Sequence, residues 1–199
     1  MRKKYFLFVA LFLLCSVTSY AQSQWGVFGQ ANLSGSTADG VGTRVGGSIG
    51  VMYDRKLTGN LFLQPRLVAS YMENETKKSV TPNEFFSQWS LTLPVLASYK
   101  FDLGGANSLR LNAGPYLQYA AFGRDRVYKV RMGETQSYPS LGWWHQDFGK
   151  HFTYGLQGGV SFVHNKWVGM IDYKYSLRKS LLNMNGHEST FSFGVGYMF

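Results

Sequence analysis

The chain has little cysteine, little charge and few long apolar segments. Its single cysteine, Cys15, lies near the amino terminus. Residues 22–199 therefore hold no disulfide, no thiolate nucleophile and no cysteine metal site. After residue 21 no apolar run approaches the roughly 18 residues of a membrane-crossing helix, so helical membrane anchors are excluded.

The first 21 residues have the parts of a secretory signal peptide. A basic segment at 2–4 precedes a short apolar segment at 5–14, and small residues stand three and one positions before a break after Ala21. We expect export and cleavage after Ala21. Residues 22–199 then have the length of a single domain.

The remaining sequence alternates apolar and polar residues at period two, as a β-strand with one apolar face does. In the last segment, Phe, Val and Tyr at odd positions from 191 to 199 alternate with Ser, Gly and Met at even positions. The same alternation predicts eight strands, at 24–34, 44–54, 60–73, 85–101, 108–121, 151–163, 167–178 and 189–199.

The segments between these strands alternate in length. Short ones at 55–59, 102–107 and 164–166 fall at one end, and four longer ones fall at the other. Outer-membrane barrels have short periplasmic turns, longer external loops and aromatic girdles at both interfaces. Aromatic residues, 17% of the chain, cluster near both strand ends. The sequence therefore predicts an all-β protein, an eight-stranded antiparallel transmembrane β-barrel, located in the bacterial outer membrane.

Charged residues lie on the polar faces of the strands. A narrow eight-stranded interior can hold them only as a paired polar network. We expect Arg66 and Asp172, at similar heights on facing strands, to pair through the lumen. The predicted lumen network consists of Arg66, Arg110, Asp172 and Lys174.

Three prolines, Pro65, Pro94 and Pro115, fall inside predicted strands. Proline has no N–H to donate to a strand ladder. A closed barrel has no edge strand on which to place it. We therefore expect a bulge or a lost hydrogen bond at each proline.

Four motifs carry a family resemblance. They are L-T-L-P-V-L-A-S-Y-K-F at 91–101, G-P-Y-L-Q-Y at 114–119, D-Y-K-Y-S-L at 172–177 and T-F-S-F-G-V-G-Y-M-F at 190–199. In this order they resemble the PorT-like outer-membrane β-barrel domain family of Bacteroidetes. The resemblance implies an outer-membrane barrel. Because the name-giving member assists type IX protein secretion, it also implies an accessory role there as one alternative.

The aromatic last strand also resembles the closing strand that the barrel assembly machinery recognises in outer-membrane proteins. Tyr197 and Phe199 are the residues expected to carry that signal. The machinery is therefore an expected partner during assembly, and outer-membrane lipid is an expected partner afterwards. An exported chain without a nucleic-acid-binding motif argues against nucleic acid, despite the formal net charge of +9.

Residues for catalysis or metal binding are sparse. The histidines lack a metal-ligand spacing, so neither a metal nor a cofactor is expected. His187, Glu188 and Ser189 could serve a lipid-modifying enzyme with Ser189 as nucleophile and His187 as base. On a strand, however, Glu188 points away from its neighbours and cannot orient His187. We therefore expect no catalytic residues, and the enzyme remains an alternative.

The longest connecting segment, 122–150, is the main candidate for recognition. Basic and aromatic side chains there could bind lipopolysaccharide phosphates or a protein partner. The predicted patch consists of Arg124, Arg126, Lys129, Arg131, Trp143 and Trp144. Alternation at 126–130 also permits a hairpin of strands running on above the membrane, its charges merely solvated. The favoured function is a small structural or interaction barrel; a pore is disfavoured by the narrow interior.

Overall fold

The computed structural model describes residues 23–36, 43–76, 84–131, 134–139, 151–178 and 187–199. The expected signal peptide and its cleavage site lie outside these residues, as do Trp143 and Trp144. No helix among the residues described is long and apolar enough to cross a membrane. The strands are β1 (Ser23–Ser36), β2 (Arg44–Thr58), β3 (Leu61–Thr76), β4 (Glu84–Gly104), β5 (Asn107–Arg131), β6 (Glu134–Pro139), β7 (Phe152–His164), β8 (Trp167–Ser176) and β9 (Glu188–Met198).

Eight of these nine strands close a barrel. Each pairs antiparallel with the next in the order β1, β2, β3, β4, β5, β7, β8 and β9, and β9 returns to β1. Among the residues described, strand β6 pairs with the far end of β5 alone. The predicted eight-stranded antiparallel barrel is confirmed, with strand ends that mostly lie within three residues of those predicted.

The short turns contain residues suited to a left-handed backbone. Gly59, Gly104 and Gly105 have φ values of 48°, 93° and 61°, and Asn165 has a φ of 54°. Glycine, and to a lesser extent asparagine, adopts this conformation at low steric cost. All three short connections therefore reverse the chain within a few residues and lie at the same end of the barrel as the start of β1 and the end of β9.

The wall of the barrel is apolar on the outside and mixed on the inside. Among outward residues, Ile49 is 69% exposed, Val195 is 64% exposed and Trp167 is 61% exposed. Inward positions on the same strands carry buried Ser, Thr, Asn, Gln, Asp and Arg. This is the reverse of a water-soluble barrel and matches a strand wall surrounded by lipid.

Aromatic side chains meet across neighbouring strands at both ends of the wall. At the short-turn end Trp25 contacts Tyr53 with ring centroids 4.8 Å apart, and Trp167 contacts Tyr197 at 5.3 Å. At the loop end the ring centroids of Tyr71 and Trp89 lie 5.1 Å apart. Directly paired aromatic residues stabilise a sheet locally. They form the two interfacial bands expected from the sequence.

One part of the barrel interior is apolar. Its buried cluster consists of Phe28, Met52, Val68, Val163, Val168, Met170 and Met198. The aromatic ring of Phe28 fits because glycines flank it: Gly50 and Gly196 are its direct partners on β2 and β9. A Cβ at Gly50 would lie 2.5 Å from a Phe28 ring carbon. Glycines on the inner face thus provide space for large neighbours.

The three prolines interrupt the strand ladders. The β2–β3, β3–β4 and β4–β5 ladders each omit two consecutive residue pairs, next to Pro65, Pro94 and Pro115 respectively, and then resume in unchanged register. Each proline still pairs with its other neighbouring strand. The predicted loss of pairing is confirmed at all three positions, whereas the register shifts of these ladders lie elsewhere.

Candidate functional site

The middle of the lumen contains a buried ion pair between opposite walls. Arg66 Nη1 on β3 lies 2.8 Å from Asp172 Oδ2 on β8, and both residues are only 2% exposed. Gln30 Nε2 donates a second hydrogen bond of 2.8 Å to the same carboxylate oxygen. The two side chains that the sequence places on facing strands are therefore in contact.

The ion pair continues into a second one through a glutamine. Arg66 Nε donates to Gln64 Oε1 at 2.9 Å, and Gln64 Nε2 donates to Asp54. Asp54 also accepts a hydrogen bond from Arg110, its ion-pair partner. Charged and amide groups thus connect β8, β3, β2 and β5 without a break. The sequence prediction contained Arg110 but missed Asp54 and Gln64, whose partners depend on strand register.

Lys174 is inside the barrel but does not join this chain of contacts. Its Nζ lies 5.8 Å from the centroid of the Tyr116 ring. In the described part of the chain no carboxylate oxygen lies within 4 Å of that nitrogen. Lys174 therefore packs against an aromatic ring, one inward position beyond Asp172 on β8, and its part in the predicted network stays a prediction.

A third ion pair lies at the loop end of the lumen. Arg44 Nη1 is 3.7 Å from Glu188 Oε1, and Ser34 Oγ donates to the same carboxylate oxygen at 3.0 Å. Thr190 Oγ1 in turn donates to Ser34 Oγ at 3.1 Å. Glu188 therefore faces inward and pairs with polar groups of the lumen, a role that the sequence analysis did not assign to it.

The candidate hydrolase residues are not arranged for catalysis. His187 Nδ1 donates a 2.9 Å hydrogen bond to the Ser176 carbonyl oxygen, and its ring stacks on Tyr175 on the outer side of the wall. Glu188 faces inward to Arg44. A base oriented by a carboxylate next to a nucleophile is required for this chemistry, and these three residues do not provide it.

The lumen is filled at the level of the ion pairs. Leu96 has no exposed surface, and Asp54, Thr92 and Arg66 are each at most 2% exposed. A water-filled channel would leave inward side chains accessible to solvent. Eight strands enclose an interior that side chains just fill, and this barrel follows that rule in its described part.

The segment predicted as a long loop begins as a strand. β5 runs on to Arg131 rather than ending near residue 121. Its positions 126–131 pair with β6, and its positions up to Val127 pair with β4. A register shift opposite Trp89 and Ser90 leaves one extra residue in β5, a β-bulge at the point where the strand leaves the wall. β5 thus runs on into a hairpin, but its partner there is the short strand β6 and not the predicted strand at 151–163, whose pairing with β5 ends at Tyr119.

The basic positions of the predicted patch follow one another along the hairpin: Arg124, Arg126, Lys129 and Arg131 all lie in β5. Within the hairpin, Arg131 is paired with Glu134 and Lys129 with Gln136. Four positions of the predicted six-residue patch therefore lie on β5, whereas its two tryptophans lie outside the described residues, and recognition by this patch stays a prediction.

The last strand closes the barrel as an ordinary member of the wall. β9 pairs with both β1 and β8, and Phe199 N donates a 2.9 Å hydrogen bond to the Trp25 carbonyl oxygen. Tyr197 faces outward against Trp167. Recognition of Tyr197 and Phe199 by the assembly machinery stays a prediction.

Known proteins resemble this chain as follows. Ail, the attachment invasion locus protein of Yersinia pestis, is 14% identical over 91% of this chain and 100% of its own, with a TM-score of 0.47. OprG of Pseudomonas aeruginosa is 13% identical over 91% of this chain and 98% of its own, with a TM-score of 0.48. The outer membrane enzyme PagL is 12% identical over 85% of this chain and 98% of its own, with a TM-score of 0.50. At such identities the likeness to these structures concerns the fold alone.

No curated protein sequence matches the chain. Residues 7–199 match the family described as the outer membrane protein beta-barrel domain. That family agrees with the closed barrel, its lipid-facing wall and its interfacial aromatic residues. The chain belongs to the outer membrane protein β-barrel domain family, and its location is the outer membrane.

Proposed function

We propose that this protein is a small interaction barrel whose hairpin of β5 and β6 binds lipopolysaccharide phosphates or docks a protein partner outside the cell. The observation that carries the proposal is the length of β5. Beyond Tyr119, its last position paired with β7, the strand continues to Arg131, which is about 40 Å of strand at roughly 3.3 Å per residue. Such a length reaches beyond the outer aromatic band.

The composition of the hairpin supports an anionic partner. Positions 124–131 contain four basic residues and one acidic residue, Asp125. Arginine forms bidentate hydrogen bonds with phosphate, and lysine adds an unspecific positive charge. Four basic residues within eight positions of one strand give the hairpin the charge needed to contact several phosphates of lipopolysaccharide headgroups.

The filled lumen argues against a pore. The pairs Arg66–Asp172 and Arg110–Asp54 would have to separate before an ion could pass, and a buried charge left without its partner costs about 3–5 kcal/mol. The lipid-modifying enzyme is the weaker alternative because His187, Glu188 and Ser189 have separate partners or faces. The accessory role in type IX secretion depends on the PorT-like sequence motifs and predicts a protein partner.

Capture from intact outer membranes tests the proposal. A variant with Arg124→Gln, Arg126→Gln, Lys129→Gln and Arg131→Gln is compared with the unchanged protein after crosslinking and pull-down. The matched control carries Arg55→Gln and Lys100→Gln, two charges at the short-turn end. Loss of lipopolysaccharide or of a captured protein only in the hairpin variant supports the proposal and identifies the partner. Equal capture by all three proteins contradicts it.

A further inference from the structure

The lipid-facing side of the wall contains an apolar groove of about 610 Å³. Its sides are outward residues of β1, β2, β3 and β9, among them Val27, Ile49, Leu67 and Val195. The volume falls within the range of roughly 300–1,000 Å³ that is usual for ligand sites. The groove is not an enclosed cavity but is open along its lipid-facing side.

The groove exists because the outer face of β1 lacks large side chains in its middle. Gly29 is the direct strand partner of Ile49 on one side and of Val195 on the other. These two neighbours are among the most exposed apolar residues of the wall. A Cβ at Gly29 would meet only the Ser48 carbonyl oxygen, at 3.9 Å. A gap at Gly29, about two strand spacings or ~10 Å across, thus lies between Ile49 and Val195, and Val27 is the next outward residue of β1 toward the short turns.

The groove ends at the short turns beside aromatic residues and a lysine. Trp167 and Tyr197 line that end, and exposed Lys166 places its Nζ 5.9 Å from the centroid of the Tyr197 ring. The lysine backbone is fixed, since Met198 N donates a 2.8 Å hydrogen bond to the Lys166 carbonyl oxygen. Aromatic residues and lysine together are typical of the level of lipid headgroups.

We propose that this groove binds one phospholipid of the periplasmic leaflet, with an acyl chain along Gly29 and the phosphate at Lys166. The leaflet follows from the short turns, which lie on the periplasmic side of outer-membrane barrels. Charge complementarity selects a lipid over a second copy of the chain, because Lys166 adjoins the end of a groove that is otherwise apolar. The site lies at the opposite end of the barrel from the hairpin and does not depend on the hairpin's function.

The test counts lipids retained by the folded protein. The chain is folded in detergent with phosphatidylglycerol and phosphatidylethanolamine, and bound lipid is measured by native mass spectrometry. Gly29→Leu fills the groove without meeting the barrel interior, and we expect retention to fall about tenfold, as expected when the burial of a few methylene groups is lost. The control is Gly158→Leu, an outward glycine on β7 whose Cβ would lie 3.7 Å from a carbonyl oxygen. It should retain lipid like the unchanged protein.

A second pair of variants tests the phosphate contact. Lys166→Gln should lower retention several-fold. Lys100→Gln, at the same end of the barrel but engaged with Asp102 at 2.7 Å, should leave retention unchanged.

Equal retention by Gly29→Leu and Gly158→Leu overturns the proposal. A dimer that Gly29→Leu abolishes also overturns it, since the groove would then belong to a second copy. Unchanged retention in Lys166→Gln overturns the placement of the headgroup. Heat-dependent gel mobility shows that each variant is folded.

Discussion

The barrel wall and the β5–β6 hairpin are built from the same kind of strand but differ in what constrains them. Every strand of the wall has two paired neighbours, lipid on one side and a packed lumen on the other. In the described residues β6 pairs with β5 alone. The choice of a residue in the wall is therefore limited by its paired strands, by lipid and by the packed lumen. These limits do not apply in the same way to the hairpin, whose sequence carries charge. We expect substitutions in the wall to change stability and substitutions in the hairpin to change binding.

The largest effect on stability is expected from the central ion pair. Arg66→Met leaves Asp172 buried without its cation, which costs about 3–5 kcal/mol. The free energy of unfolding in detergent micelles measures this. The double variant Arg66→Met with Asp172→Leu removes both charges and should regain much of the loss. An unchanged stability in Arg66→Met would contradict the role of the pair.

A somewhat smaller effect is expected in the apolar part of the lumen. Met52 is 1% exposed within the buried cluster, so Met52→Ala should destabilise the barrel by about 2–5 kcal/mol through lost burial and a residual cavity. Met52→Leu, which keeps the volume, should cost less than about 1.5 kcal/mol. Equal unfolding free energies for both variants would show that this part of the lumen is loosely packed.

Two adjacent glycines of β7 face opposite sides of the barrel wall and allow the two sides to be compared. A Cβ at inward Gly159 would overlap Asp172, whereas one at outward Gly158 would lie 3.7 Å from the nearest heavy atom, the Asn112 carbonyl oxygen. Gly159→Ala should therefore destabilise by about 1–3 kcal/mol and Gly158→Ala by much less. Thermal unfolding of the two variants in the same detergent makes the comparison. Equal losses would mean that the faces have been assigned wrongly.

The smallest effect on stability is expected in the hairpin. Replacing Arg124, Arg126, Lys129 and Arg131 by Gln should change the unfolding free energy by no more than about 0.5 kcal/mol at each position, as expected for substitutions away from the packed lumen. The same variant should lose its capture of lipopolysaccharide or of a protein partner. A large loss of stability would show that the hairpin is part of the folded core rather than a surface for recognition.

The wall could be predicted from the sequence because lipid imposes a strict alternation on it. Residues such as Phe191, Phe193 and Val195 face hydrocarbon, so an error of one residue would expose polar groups to lipid. The inner face follows no such rule. Met198 and Phe28 occupy inward positions because glycines on neighbouring strands make room for them, and only the register shows which glycine lies beside which large side chain.

The candidate site was predictable only in part for the same reason. Arg66 and Asp172 could be matched by their height along facing strands, but the link from Gln64 to Asp54 depends on side-chain reach across a strand pair. The end of β5 was not predicted because the period-two pattern of the strand continues without a break through Arg126, Tyr128 and Val130. Sequence alternation identifies a strand without showing where the membrane ends.

The most direct test of the division between wall and hairpin is to replace residues 124–148 with a short Gly/Ser turn and compare capture from intact outer membranes. We predict that the shortened protein folds, keeps its heat-dependent gel mobility and no longer captures lipopolysaccharide or a protein partner. Equal capture by the shortened and complete proteins would contradict the assignment of recognition to the hairpin. Recognition would then have to lie in one of the other external connections.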